Sequence, residues 1–165
     1  MKRSVMLFAL ILPILAAGVV GARYLHGRPA RDKDRASRRQ ATMDRWTMPN
    51  AHVLPPDETQ DDFPQYREME TSDSLDAIWA FYSHQATIDG APGQVSIPTA
   101  RPLNGTYITH GRNGERSVIA CRQNRFWSAD FGLDTRQEKI AVAVSQSARG
   151  AKTHILMRVV IPRGR

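Results

Sequence analysis

Arg122, Arg125 and the adjacent pair Phe126–Trp127 place guanidinium groups beside aromatic rings in one stretch of extended chain. Those residue types suit recognition, because a guanidinium pairs with anions and stacks on aromatic faces. Successive strand side chains point to opposite sides, so Phe126 and Trp127 cannot both face a ligand. Arg122, Arg125 and Trp127 are the candidate binding residues, fitting an anionic partner or a strand-like peptide.

The groups that could do covalent or acid–base chemistry are scattered. His26, His52, His84, His110 and His154 form no H-x-x-x-H or H-E-x-x-H pair, and no cysteine stands beside any of them. Metal ligation therefore has no local signature, and no cofactor motif is present. Asp130-Phe131-Gly132 matches the metal-holding triplet of protein kinases, but the chain has no G-x-G-x-x-G loop and no H-R-D loop. The triplet is expected to be a turn between strands. Cys121, the single cysteine, alternates with apolar neighbours and reads as core filling. No G-x-S-x-G elbow exists. An enzyme would need a spatially assembled site, with His110 or His154 beside an Asp.

The elements that position these residues can be read from periodicity. Leu75, Ile78, Trp79 and Tyr82 recur at i, i+3, i+4 and i+7, the apolar stripe of one helix, with Ser72 or Asp73 as its cap. After the turn-rich stretch IDGAPGQVSIPTARPLNG the period changes to two. TYITH and RSVIACR, separated by Arg112-Asn113-Gly114, predict a hairpin. NRFWSADF, KIAVAVSQ and THILMRVVIP predict further strands, and FPQYREMET alternates loosely as another. The expected fold class is α+β: four to five mainly antiparallel strands covered by one helix. A curved, barrel-like wrap is the alternative.

Ahead of this domain stands an apolar run. Val5 to Ala22 is 18 residues without a charge, close to the roughly 20 that span a bilayer. The small residues at Val20-Gly21-Ala22 also fit a cleavage site. The length favours a retained single transmembrane helix over a cleaved signal. Arg23, Arg28, Arg31, Lys33, Arg35, Arg38 and Arg39 follow as a dense basic run, expected to contact membrane lipids. That flank argues for the cytoplasm, whereas the short positive N-terminus resembles an export signal, so the side of the domain stays open. The expected organisation is a tail at 1–4, an anchor or signal at 5–25, a basic then Pro-rich tether at 26–62, and the α+β domain at 63–165.

The formal charge is +7 over the chain, but its distribution is uneven. Residues 23–45 hold eight basic groups and three acids, a net of +5; residues 46–100 hold one and nine, a net of −8; residues 101–165 hold twelve and four, a net of +8. The folded part is thus neutral and polarised. This argues against nucleic acid as a partner and for the two signs meeting within one fold or in a homo-oligomer. The functional expectation is a membrane-anchored, single-pass, non-enzymatic binding or assembly protein of the cell envelope, with a protein partner or a second copy. Two alternatives stand beside it: a small envelope hydrolase with a spatially assembled site, and a secreted soluble binding domain after signal cleavage.

Overall fold

A computed structural model describes residues 30–55, 65–92, 96–146 and 152–162. Residues 30–45 are helical (α1), and the chain divides into two units, Met1–Arg38 and Arg39–Arg165. In the first unit Arg35 pairs with Asp32 at 3.2 Å, one turn away. The second unit holds β1 (His52–Val53), β2 (Tyr66–Thr71), α2 (Leu75–Gln85), β3 (Gly105–His110), β4 (Arg116–Gln123), β5 (Trp127–Asp134), β6 (Lys139–Gln146) and β7 (Thr153–Val160).

The strands form one antiparallel sheet in the order β1-β2-β7-β6-β5-β4-β3. From β3 to β7 each strand pairs with the next in sequence, as short hairpin links require. Gly114, at φ +83°, supplies the left-handed turn residue of the β3–β4 hairpin, which Gly111 N–H closes on the Glu115 carbonyl. Only β2 breaks the run, returning to pair with β7. Seven strands replace the expected four to five, and two helices replace one. The extra strand-forming residues were hidden by length: β1 is two residues long, too short for any period.

Alternation sends one set of side chains to a buried face. Met69, Ile155, Met157, Val159, Ile140, Val142, Val144, Ala129, Phe131, Ile119 and Cys121 are all buried there. The α2 stripe lies against them through Ile78, Trp79 and Tyr82. Trp79 meets Phe131 at 5.6 Å between centroids and Tyr82 meets it at 5.4 Å, so Phe131 on β5 is the seat of the helix. The cap of α2 is Ser74, one residue beyond the expected positions, and its hydroxyl accepts from Ala77 N–H at 3.2 Å.

The core also takes residues that the sequence reading assigns to a tether. Met43, Trp46 and Met48 are buried, and Trp46 packs on Tyr82 at 6.4 Å. Polar contacts fix this stretch at two places. Glu138, in the β5–β6 turn, accepts from Thr42 Oγ1 at 2.7 Å and from Arg45 at 2.6 Å. Arg67 of β2 donates to Thr47 Oγ1 at 2.6 Å and to Asp44 at 2.9 Å.

No helix among the described residues is long and apolar enough to cross a membrane. The eleven residues of α2 rise only about 16 Å, against a hydrocarbon core of about 30 Å. The described part of α1 carries Arg31, Asp32, Lys33, Asp34, Arg35, Arg38 and Arg39. The expected single-pass anchor, its membrane location and its lipid contacts are corrected accordingly. The anchor or signal segment expected at 5–25, which includes Arg23, and the neighbouring Arg28 lie outside the described residues.

Two substitutions test this core. Trp79→Ala is expected to cost about 3–5 kcal/mol in urea denaturation, because it empties the contact with Phe131. Tyr82→Phe is expected to be neutral or stabilising. The Tyr82 hydroxyl is buried without a hydrogen-bond partner among the described residues, so its removal relieves a desolvated polar group.

Candidate functional site

The two faces of the sheet differ in cover. Beneath α2 lies the aromatic core. On the opposite face, the register sets side chains in rows that run across the strands. One row is Tyr66, Arg158, Ala141, Gly132, Val118 and Ile108; the next is Glu68, Leu156, Ala143, Asp130, Ala120 and Thr106. Leu156 is 43% exposed and Ile108 39% exposed. The middle of this face forms a shallow apolar hollow of about 220 Å³, between Tyr66 and Leu156 on one side and Val118 on the other. The Arg158 guanidinium lies over the Tyr66 ring, 5.5 Å from its centroid.

The floor of the hollow is Gly132, Ala141 and Ala143. Small residues are poor strand formers on a solvated face, where β-branched and aromatic side chains stabilise cross-strand pairs. Nothing in the fold itself requires glycine at 132. Its φ is not positive, and a Cβ there would meet no atom closer than the Val118 carbonyl oxygen at 3.6 Å, an ordinary contact.

The candidate residues from the sequence do not share one surface. Trp127 is fully buried on the core face; its indole N–H donates to the Pro102 carbonyl at 3.3 Å, and Arg101 covers its ring at 5.3 Å. Arg122 is exposed on the opposite, open face, and Arg125 is exposed in the β4–β5 turn, 5.8 Å from the Phe126 ring. Of the adjacent aromatic pair, Phe126 is the exposed member. Arg31, Lys33, Arg35, Arg38 and Arg39 lie on α1.

His110 and His154 share the open face but stand four strands apart, on β3 and β7. That is roughly 19 Å at the usual strand spacing, too far to act on one substrate atom. Asp130-Phe131-Gly132 is not a turn; it lies within β5, with Phe131 in the core and its neighbours on the open face. No cluster of three or more metal-binding side chains is found among the described residues.

Burial raises the Cys121 thiol above its ordinary value, only partly offset by Arg101, and its Sγ–H points at the Gly105 carbonyl at 3.7 Å. At the β2 edge, Glu70 accepts from Lys152 at 2.7 Å, with His154 at 3.4 Å and His52 as its cross-strand neighbour. The Lys152 hydrogen bond, with the attraction of Lys152, His154 and His52, holds the Glu70 carboxyl below its ordinary 4.5 against a smaller effect of burial.

Sequence reading missed the open face because it looked for charged and aromatic groups. The signal was the strand KIAVAVSQ, whose inward Ile140, Val142 and Val144 alternate with outward Ala141 and Ala143. Compared with known protein families, curated proteins and solved structures, the chain matches none.

The Glu70 contact predicts an acid-side loss of stability. Its folded value is depressed, so its contribution is present above the unfolded value and is lost as pH falls through the folded one. In Lys152→Ala the Glu70 titration, followed by side-chain NMR, should move up toward 4.5. An unmoved midpoint would mean that Lys152 does not hold the carboxylate. Native Cys121 should resist thiol reagents until the chain is unfolded.

Proposed function

We propose that this chain is a protein-binding domain and that the open sheet face is its recognition surface. The reading replaces the membrane-anchored envelope protein that the apolar N-terminal run suggests. The observation that carries it is the apolar middle of that face. An antiparallel sheet with one solvated face ordinarily alternates apolar inward with polar outward. Here Ile108, Val118, Ala120, Ala141, Ala143, Leu156 and Val160 all project outward. Asp130 and Arg158 stand among them at the hollow, and Glu68, Glu70, Arg116 and Arg122 lie around them, a charged surround of the kind that borders protein interfaces.

The missing Cβ at Gly132 strengthens the reading. A glycine within a strand marks a place where another backbone comes close, and no backbone among the described residues needs that space. The enzymatic alternative asks for His110 or His154 beside an Asp, whereas the acid paired with His154 is Glu70.

A photo-crosslinking side chain in place of Leu156, in the full chain in its native cells, tests this reading. A discrete protein adduct is expected from position 156 and none from Ala80, which is exposed on α2. Adding Gly132→Val should leave the melting temperature unchanged or raise it, while reducing the adduct at least several-fold. If position 156 yields no discrete adduct, the reading is wrong.

A further inference from the structure

We infer that the occupant of the open face is a second copy of this chain, packed sheet on sheet about a two-fold axis running along β6. The inference rests on the reading of that face as a binding surface and names its partner.

The argument comes from the sign of charge, strand by strand. β6 is the fourth of seven strands, the middle of the sheet. On the open face β2 presents Glu68 and Glu70, while β4, equally far from β6 on the other side, presents Arg116 and Arg122. One strand inward, β7 presents Arg158 and His154, and β5 presents Asp130 and Asp134. A two-fold axis along β6 lays β2 of one copy over β4 of the other, and β7 over β5. Acid then meets base at both pairs of strands. A two-fold axis across the strands would instead set β2 on β2 and β4 on β4, placing like charges together. The polarity that cancels within the folded part is thus arranged to cancel again between copies.

The rows agree with this placement. Glu70 and Arg122 belong to the same cross-strand row, so the axis brings them face to face. Arg158 falls over Gly132, one residue pair (about 7 Å) along the strand from Asp130, within reach of a long side chain. Within one copy these two groups form no ion pair, and Glu68, Arg122 and Asp130 have no ion-pair partner among the described residues. The small side chains of Ala141 and Ala143 lie at the axis, with Gly132 one strand away on β5. Leu156 and Val118 flank them.

The size fits as well. The five strands that the axis superposes (β2, β7, β6, β5 and β4), each about 4.8 Å wide and about seven residues of 3.4 Å long, give a face roughly 24 Å by 24 Å. That is on the order of 580 Å² from each copy, and two copies clear the roughly 1,000 Å² of a specific interface.

Charge-reversed variants of the full chain test the inference. Asp130→Arg sets two arginines, the one at 130 and Arg158, near one another across the β5–β7 pair, and Arg158→Asp sets two aspartates there. Both positions are exposed, and circular dichroism melts should match the parent chain. Native mass spectrometry and sedimentation should show the parent as a two-copy species. Each variant alone should dissociate at least roughly tenfold more readily, as expected for like charges placed opposite one another. An equimolar mixture should regain the two-copy species as a mixed pair, since each acid then faces a base. A parent that stays a monomer, a variant that keeps its partner, or a mixture that stays apart overturns the second copy as occupant.

The crosslink from position 156 separates the two levels of the proposal. An adduct at twice the 18.5 kDa of the chain supports the second copy. A discrete adduct of another mass overturns the second copy and leaves the binding face standing. The absence of any adduct overturns both.

Discussion

Phe131 is the point on which the structure turns. It sits on β5 with Trp79 at 5.6 Å and Tyr82 at 5.4 Å, both from α2. Further rings extend the contact: Trp46 lies on Tyr82, while Trp127 and Tyr107 lie against Trp79. Aromatic side chains bury more area than any others and prefer these tilted and edge-on geometries. Much of the large apolar surface of the unit is gathered on one side of the sheet. Among the described residues, α2 and the buried stretch near 43–48 both belong to that side.

That one-sidedness explains how the polar contacts are placed. Glu138 and Arg67 tie residues 42–47 over the core, so Met43, Trp46 and Met48 reach the buried face. Two indole N–H groups tie the long link before β3 to the same side: Trp79 donates to Pro98 at 2.9 Å and Trp127 to Pro102 at 3.3 Å. Arg101 sits between these anchors, pairs with Asp76 at 3.0 Å and covers the Trp127 ring. A buried indole must find an acceptor, and here the acceptors are loop carbonyls. The link is thereby held across the helix-bearing side and kept away from the other face.

Much of the fold was legible in the sequence where the period was long. The α2 stripe, the β3–β4 hairpin and the last two strands follow from spacings that side-chain burial enforces. Three features were not legible. A two-residue β1 has no period. Trp46 lies in a basic stretch whose local pattern shows no apolar face, and only a partner distant in sequence, Tyr82, makes it core. The third is the direction in which Trp127 points, which depends on strand register. A shift by one residue exchanges the two faces, and the sequence near Asn124 does not fix where β5 begins. The candidate set Arg122, Arg125 and Trp127 was therefore divided between the two sides of the sheet. The apolar run at 5–22 drew the functional reading toward a membrane, although the described residues contain no helix able to cross one.

The open face must be weighed against an ordinary solvated one. Apolar atoms make up more than half of a typical folded surface, so an exposed Leu156 or Ile108 alone means little. Alanine on a sheet surface exposes little area, and its hydration costs little. What an ordinary face does not require is the order of the charges. A solvated sheet gains by setting opposite charges across neighbouring strands, as Lys139 and Asp134 do at 2.8 Å. Glu68, Asp130 and Arg122 have no such neighbour; with β6 as the axis Arg122 lies over Glu70, and Glu68 and Asp130 each stand one residue pair from an arginine, Arg122 and Arg158. Side chains selected only for solubility have no reason to alternate in sign about the middle strand. Groups selected to meet a copy of the same surface do, because a self-complementary face needs each charge to be answered at the position that the symmetry exchanges with it.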